Sequence, residues 1–134
     1  MRNIEIVELT ALRLSIANAT NLKINERQMQ AYEMYLSLIK HYPWLKAVPT
    51  KRIDKVWHYH ISQSELYFED CSRIVGHLIS HKVVKKATDK NRLRENYNLT
   101  NQLWQISFNV PMGSDLEMAA CGVDGDDGVS GPDE

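Results

Sequence analysis

The sequence contains no apolar stretch that reaches the roughly 18 uninterrupted residues a membrane-spanning helix needs. Near the amino terminus, Glu5 and Glu8 stand where a secretory signal peptide would carry its apolar segment. We therefore expect a cytoplasmic protein without a membrane partner.

Cysteine is also scarce, since Cys71 and Cys121 are the only two in 134 residues. Two cysteines so far apart do not make a disulfide framework, and both are predicted to be free thiols. Alternation of apolar and polar residues with period two, which is typical of sheets, is almost absent. A chain of this length with 43% apolar residues suits one domain with one modest core. The predicted fold class is therefore all-α.

Five helices are predicted from apolar residues spaced three and four apart, packed as a single compact bundle over residues 1–111. Asn25 and Thr50 are expected to cap the second and third helices, and Ser62 with Glu65 has the capping-box pattern at the start of the fourth. The expected bounds are about Glu5 to Ala19, Asn25 to the residue before Pro43, Thr50 to Ile61, Ser62 to His81, and Thr88 or Asp89 to the residue before Pro111.

Residues 112–134 are predicted to form a flexible, acidic, Gly-rich tail. Residues 113–134 hold seven acids and no Lys or Arg, which leaves ten acids against sixteen bases, or +6, for residues 1–112. A basic body with an acidic tail could bind an anionic partner. The bases are scattered, however, and no aromatic-plus-basic RNA motif accompanies the cluster of Lys82, Lys85 and Lys86, so the pattern does not favour nucleic-acid binding.

A His-rich stretch from Asp54 to His81 is the most informative segment. On the third helix, Asp54 and His58 are four residues apart and share a flank, whereas His58 and His60 point to nearly opposite sides. His60 falls on the apolar face beside Trp57, and His81 extends the apolar row of the fourth helix, which Tyr67 begins and Asp70 borders. We therefore expect His60 and His81 to turn inward from neighbouring helices and meet below the surface.

Two interpretations of this stretch remain open. In one, Asp54, His58, His60 and His81 bind a transition metal, most plausibly zinc, and three ligands with a water would permit hydrolysis. In the other, Asp54 orients His58 while His60 and His81 pair with Tyr67, Asp70 or backbone groups in a buried polar network. The His77 and His81 pair, also four residues apart, is a further spacing that can chelate a metal, but His77 is better explained as a surface residue.

The segment from Ile53 to Ile61, which reads IDKVWHYHI, followed by Tyr67, Asp70, Gly76 and His81, resembles the glycine-rich domain-containing protein-like family. The resemblance covers roughly residues 29–81 and centres on a D-x-x-W-H-x-H pattern. It implies no reaction, because the family has no established activity. Members often continue into a Gly- and Cys-rich carboxyl terminus, whereas this tail is rich in Gly and Asp and has only Cys121.

Three functions follow as hypotheses, and whether the protein is an enzyme is left open. The first is a non-catalytic helical module that binds a protein or peptide partner and contains a buried His/Asp network. The second is a transition-metal-binding protein or metal-dependent hydrolase. The third is a binder of small anions that uses Arg52, Lys55 and the start of the third helix. The oligomeric state does not follow from the sequence.

Overall fold

Five α-helices and one small two-stranded sheet make up the computed structural model, which describes residues 4–123. The helices are α1 (Thr10–Asn18), α2 (Glu26–His41), α3 (Lys51–Ser62), α4 (Ser64–Val75) and α5 (Ala87–Phe108). The strands are β1 (His81–Val83) and β2 (Cys121–Val123), and a short 3-10 helix covers Asp115–Glu117. The fold is thus a compact helical one, as the missing period-two alternation predicts.

The starts of α2 and α3 follow from their capping residues. Asn25 accepts a hydrogen bond from the Gln28 amide at 2.8 Å, and the Gln28 side chain accepts one from the Asn25 amide, which completes a capping box. Thr50 accepts from the Ile53 amide at 3.2 Å and begins α3. Both predicted caps are confirmed.

The core forms where α2 packs against α3, α4 and α5. Tyr32, Tyr35 and Leu36 of α2 are almost completely buried, as are Val56 and Trp57 of α3. Burial of such large side chains supplies most of the driving force for folding. The buried residues of α5 are spaced three and four apart, as expected for a helix with one buried face; they are Leu93, Tyr97, Thr100, Trp104 and Ser107.

The first helix is shorter than predicted, because the residues before Thr10 have no regular secondary structure and bind α2 instead. The Val7 amide donates to the Ser37 hydroxyl at 2.8 Å, and the Leu9 amide donates to the buried Glu33 carboxylate at 2.9 Å. The Val7 and Leu9 amides therefore have hydrogen-bond acceptors on α2 and do not need the carbonyls of a longer helix.

The fourth helix also differs from its prediction, which extended it from Ser62 to His81. It ends at Val75, because Gly76 adopts a left-handed conformation with φ of 88° and its amide closes the last turn. Its amino-terminal cap is Gln63, without a side-chain cap bond, so the capping box expected from Ser62 and Glu65 is wrong. His81 therefore lies in β1 and not on a helix.

The expected boundary between helical body and tail at residue 112 differs from the structure as well. The chain turns back after α5, and β2 pairs antiparallel with β1, His81 lying opposite Val123. On its other side β2 meets the extended residues before α3, where the Val123 amide donates to the Ala47 carbonyl at 2.9 Å. Residues 112–123 are thus packed on the body, whereas the rest of the predicted flexible tail, 124–134, lies outside the described residues.

None of the helices in the described part of the chain combines the length and the apolar character needed to cross a membrane. Both cysteines are free, as predicted, and both are buried, although Cys121 was expected to lie in a flexible tail.

Candidate metal centre

The site is built on α3, whose turn of 100° per residue places Asp54 and His58 on one flank. The Nε2 atom of His58 lies 3.1 Å from Oδ2 of Asp54. His60, two residues further on, is fully buried on the other side of the helix, as the spacing predicts. One helix therefore contributes to two separate groups of polar side chains.

His81 reaches the same carboxylate from β1. Its Nε2 atom donates a hydrogen bond to Oδ1 of Asp54 at 2.9 Å, and its side chain is 11% exposed. The imidazole packs edge to face between Trp57, at a ring separation of 4.4 Å, and His58, at 4.6 Å. These two rings restrict the orientation of His81 so that Nε2 faces the carboxylate.

Cys121, which lies outside the predicted ligands, completes the group from β2. Its thiol donates to Oδ1 of Asp54 at 3.0 Å, so one carboxylate oxygen accepts bonds from both Nε2–H and S–H. Ligand atoms of Asp54, His81 and Cys121 all lie within 4.8 Å of one another. We refer to Asp54, His58, His81 and Cys121 together as the Asp54 cluster.

The charges within the Asp54 cluster suit a bound cation. Burial acts to raise the pKa of Asp54, but the hydrogen bonds from His81 and Cys121 and the nearby His58 outweigh it and hold that pKa below its usual range. Burial, together with the adjacent carboxylate, raises the pKa of the Cys121 thiol well above its ordinary value. The cluster thus contains a carboxylate and a protonated thiol, so a metal ion could bind the sulfur only by displacing the thiol proton.

The second group, which we call the His60 network, comprises Tyr32, His60, Asp70 and Arg73. His60 Nε2 lies 2.9 Å from Oδ2 of Asp70 and Nδ1 lies 2.7 Å from the Tyr32 hydroxyl. A carboxylate only accepts, so Nε2 carries the proton and donates to Asp70, while Tyr32 donates to Nδ1. Arg73 donates to the other Asp70 oxygen at 2.9 Å. Both ring nitrogens of His60 are therefore occupied by protein partners.

Burial lowers the pKa of His60, although Asp70 acts in the opposite direction. A neutral imidazole with one donor and one acceptor nitrogen fits its two partners. The His60 network is therefore a satisfied polar group in the core, of the kind that holds helices in register.

The predicted ligands thus divide between the two groups. Asp54, His58 and His81 converge, whereas His60 lies in the His60 network and does not reach them. Asp70 also belongs to that network, and Tyr67 and Trp57 lie between the two groups. The expectation that His60 and His81 meet below the surface fails, because His81 enters from a strand.

Two minor predictions can also be placed. His77 follows the end of α4, is exposed and contacts the carbonyl of its neighbour Leu78, so the spacing of His77 and His81 does not put them on one helical face. Cys71, predicted to be a free thiol, is buried in the core, where burial raises the pKa of its thiol and the residue packs as a small apolar side chain.

The donor types can be tested against known metal preferences. A thiolate, an imidazole and a carboxylate are the set that zinc takes in proteins, with bond lengths of about 2.0–2.3 Å. The edges of a zinc tetrahedron with such bonds are about 3.3–3.6 Å. The distances from Asp54 to His81 and to Cys121, 2.9 Å and 3.0 Å, would therefore each have to increase by about 0.5 Å. The ligand atoms of His81 and Cys121 lie within 4.8 Å of each other and would have to stand about 3.3–3.6 Å apart. The donor types therefore suit zinc, and the side chains would have to adjust to hold it.

Scans of the chain against protein-family models, curated proteins and solved structures found no match.

Proposed function

We propose that the protein binds one transition-metal ion, zinc by preference, in the Asp54 cluster, and that it does so as a non-catalytic helical protein. The observation that carries the proposal is the convergence of Asp54, His81 and Cys121, whose ligand atoms lie within 4.8 Å of one another. Three side chains with three different donor elements come together from α3, β1 and β2. A hydrogen-bonding network needs no sulfur, whereas a zinc site uses one readily.

Proton chemistry supports the same proposal. An ion bound at Oδ1 of Asp54 would replace the thiol proton of Cys121. For His81 to bind the same ion through Nε2, the proton that Nε2 donates to Asp54 would have to move to Nδ1. Zinc stabilises a thiolate strongly enough to overcome a raised thiol pKa. Binding should therefore release a proton and strengthen as the pH rises.

His58 is the natural fourth ligand. It contacts the other oxygen of Asp54, Oδ2, at 3.1 Å and packs on His81. It lies outside the three residues whose ligand atoms converge, so its side chain, which is 58% exposed, would have to turn to bind the same ion. Four protein ligands close a zinc coordination shell, which is typical of structural sites. With water in place of His58 the site would be open, and the metal-dependent hydrolase would become the better hypothesis.

Elemental analysis of protein purified without an affinity tag, followed by zinc titration in a calorimeter, tests the proposal. We expect one zinc per chain in the parent, and loss of that zinc in His81→Ala and Cys121→Ser. His77→Ala is the matched control, because it removes an exposed histidine of the same region that lies outside the cluster. Equal zinc content in the parent and in Cys121→Ser would overturn the proposal.

His58→Ala separates the closed site from the open one. If His58 is a ligand, its removal should weaken zinc binding by about 10-fold or more, as loss of a supporting group at zinc sites does. Unchanged affinity would favour a water in the fourth position and would reopen the enzymatic hypothesis.

The resemblance to the glycine-rich domain-containing protein-like family stays a prediction, and so does binding of a protein or peptide partner. If the family shares the D-x-x-W-H-x-H pattern for a common reason, the proposal assigns its Asp and first His, here Asp54 and His58, to metal binding. The second His, here His60, would then belong to a buried hydrogen-bonding network in the core.

A further inference from the structure

We propose that the ion in the Asp54 cluster controls whether the last strand, β2, stays docked on the helical body. The inference rests on the proposed metal binding and adds to it a regulated element, residues 118–123. With the ion bound, β2 is held in place; without it, β2 separates from the body while the preceding residues remain attached.

The ligands are distributed so that the ion has to join distant parts of the chain. Asp54 belongs to α3, which is fixed in the core by Val56 and Trp57. Cys121 lies 67 residues away in β2, which is three residues long. An ion bound by both side chains would therefore connect a short strand to a helix that is fixed in the core.

Apart from the ion, β2 would be held by short backbone pairings on both sides, by a bridge between Met118 and Thr50, and by the burial of Ala119 and Cys121. Outside its short ladder with β1, the Ala119 amide donates to the Pro49 carbonyl at 3.0 Å and the Val123 amide donates to the Ala47 carbonyl at 2.9 Å. On the β1 side, the Val84 amide donates to the Ala120 carbonyl at 2.9 Å. A ladder of this size is marginal by itself, so one metal–thiolate bond has a large effect on its docking.

The start of the returning segment is anchored differently. Asn101 of α5 accepts a hydrogen bond from the Met112 amide at 2.7 Å and donates to the Gly113 carbonyl at 2.7 Å. Tyr97, also on α5, donates to the Ser114 carbonyl at 2.7 Å. None of these bonds involves the Asp54 cluster, so this part should stay attached whether or not an ion is present.

Departure of β2 would uncover an apolar surface. Gly122 lies so close to Ala47 and Val48 that an added Cβ would meet the Ala47 carbonyl at 2.8 Å. Val48 is 1% exposed and clusters with Leu93 and Tyr97, against which Met118 packs. In the described structure this surface is occupied by the chain's own residues 118–123. Ion loss would open it together with the Pro49 carbonyl, whereas the Ala47 carbonyl would keep its hydrogen bond from the Tyr35 hydroxyl.

Amide hydrogen exchange followed by NMR, with and without zinc, tests the inference on the intact chain. If β2 undocks locally and zinc binds only the docked form, zinc at 100 times its dissociation constant should slow exchange of the Ala119 and Val123 amides by up to about 100-fold. The Met112 amide is the internal control and should change by less than about 3-fold, because its bond to Asn101 lies outside the element that the ion fixes. Cys121→Ser should remove the zinc effect, and His77→Ala should retain it.

The outcomes separate this inference from the proposed function. Zinc binding without slower exchange at Ala119 and Val123 would overturn the inference and leave metal binding intact. Equal slowing at Met112, Ala119 and Val123 would also overturn it, because the ion would then stabilise the whole fold and not one strand. Absence of zinc binding would overturn both. If Cys121→Ser does not fold, His81→Gln serves in its place, and exchange of the parent in magnesium gives the reference without a bound transition metal.

Discussion

The indole N–H of Trp57 donates a hydrogen bond to the hydroxyl of Tyr67 at 3.0 Å, and this bond connects the two groups of polar side chains. Trp57 packs edge to face on His81 of the Asp54 cluster, and Tyr67 packs in the same way on His60 of the His60 network, at 4.9 Å. The Tyr67 hydroxyl in turn donates to the Ile79 carbonyl at 2.6 Å. One buried aromatic pair therefore positions the loop that leads from α4 into β1.

Replacing Tyr67 with Phe should lower the stability of the protein strongly. The change leaves the Trp57 indole N–H and the Ile79 carbonyl without partners in the core, at about 1–3 kcal/mol for each group. Urea denaturation followed by circular dichroism measures the loss. Tyr42→Phe is the control, because no hydrogen bond to the half-buried Tyr42 hydroxyl is seen in the described residues, and it should change stability by less than about 0.5 kcal/mol. Equal effects of the two substitutions would contradict this account.

His60→Gln should reduce stability without changing the zinc content. The Tyr32 hydroxyl and the Asp70 carboxylate lose well-placed partners inside the core, which costs about 1–3 kcal/mol whatever chelator is present. His81→Gln should instead lower the zinc content, since it removes a ligand at the edge of the body. Elemental analysis and denaturation on the same two samples check both expectations. Loss of zinc in His60→Gln would contradict the assignment of His60 to the core.

Stability should fall as the pH drops below about 6.5. Burial lowers the pKa of His60 below its ordinary 6.5, so the unfolded chain takes up a proton there that the folded chain resists. The contribution of this neutral imidazole is fully present above pH 6.5 and declines as the pH decreases toward the folded pKa. Asp70, Tyr32 and Tyr67 are the titratable groups that face the ring.

Denaturation of the parent and of His60→Gln at several pH values from 8 to 5 measures this dependence. The difference in stability between the two proteins should shrink as the pH falls. A difference that stays constant over this range would show that His60 titrates as it does in the unfolded chain.

Gly122→Ala should weaken zinc binding as well as stability. The new Cβ would lie 2.8 Å from the Ala47 carbonyl, a backbone atom, so β2 must shift, at about 1–3 kcal/mol, and Cys121 shifts with it. Gly76→Ala is the matched control. Its added Cβ would contact no atom within 4 Å, but alanine would have to adopt the left-handed conformation of Gly76, which costs about 1–2 kcal/mol. Gly76 lies outside the Asp54 cluster. Zinc calorimetry should show weaker binding only for Gly122→Ala. Unchanged affinity in that variant would mean that the position of Cys121 does not depend on β2.

The part of the site that lies within one helix could be predicted from sequence. Helical periodicity is enough to put Asp54 and His58 on one flank and His60 on the opposite side, and the structure agrees. Asn25 and Thr50 identify the starts of α2 and α3 by the same local chemistry.

The remaining site residues depend on contacts that local patterns do not contain. Gly76 was the available signal for the end of α4, since glycine commonly ends a helix. A prediction that ended α4 at Gly76 would have placed His81 outside the helix. Cys121 reaches Asp54 through a strand pairing with β1, and its surroundings in sequence resemble a flexible tail. Only knowledge of the long-range pairing would have brought it to the site.

Sequence separation within the two polar groups sets an order for folding. His60 and Asp70 are 10 residues apart on adjoining helices, so their contact closes a short loop, whereas Asp54 is 27 residues from His81 and 67 from Cys121. Short loops close at lower entropic cost and form sooner. We therefore expect the α3–α4 hairpin to assemble early in refolding. The Asp54 cluster should form last, when β2 pairs with β1.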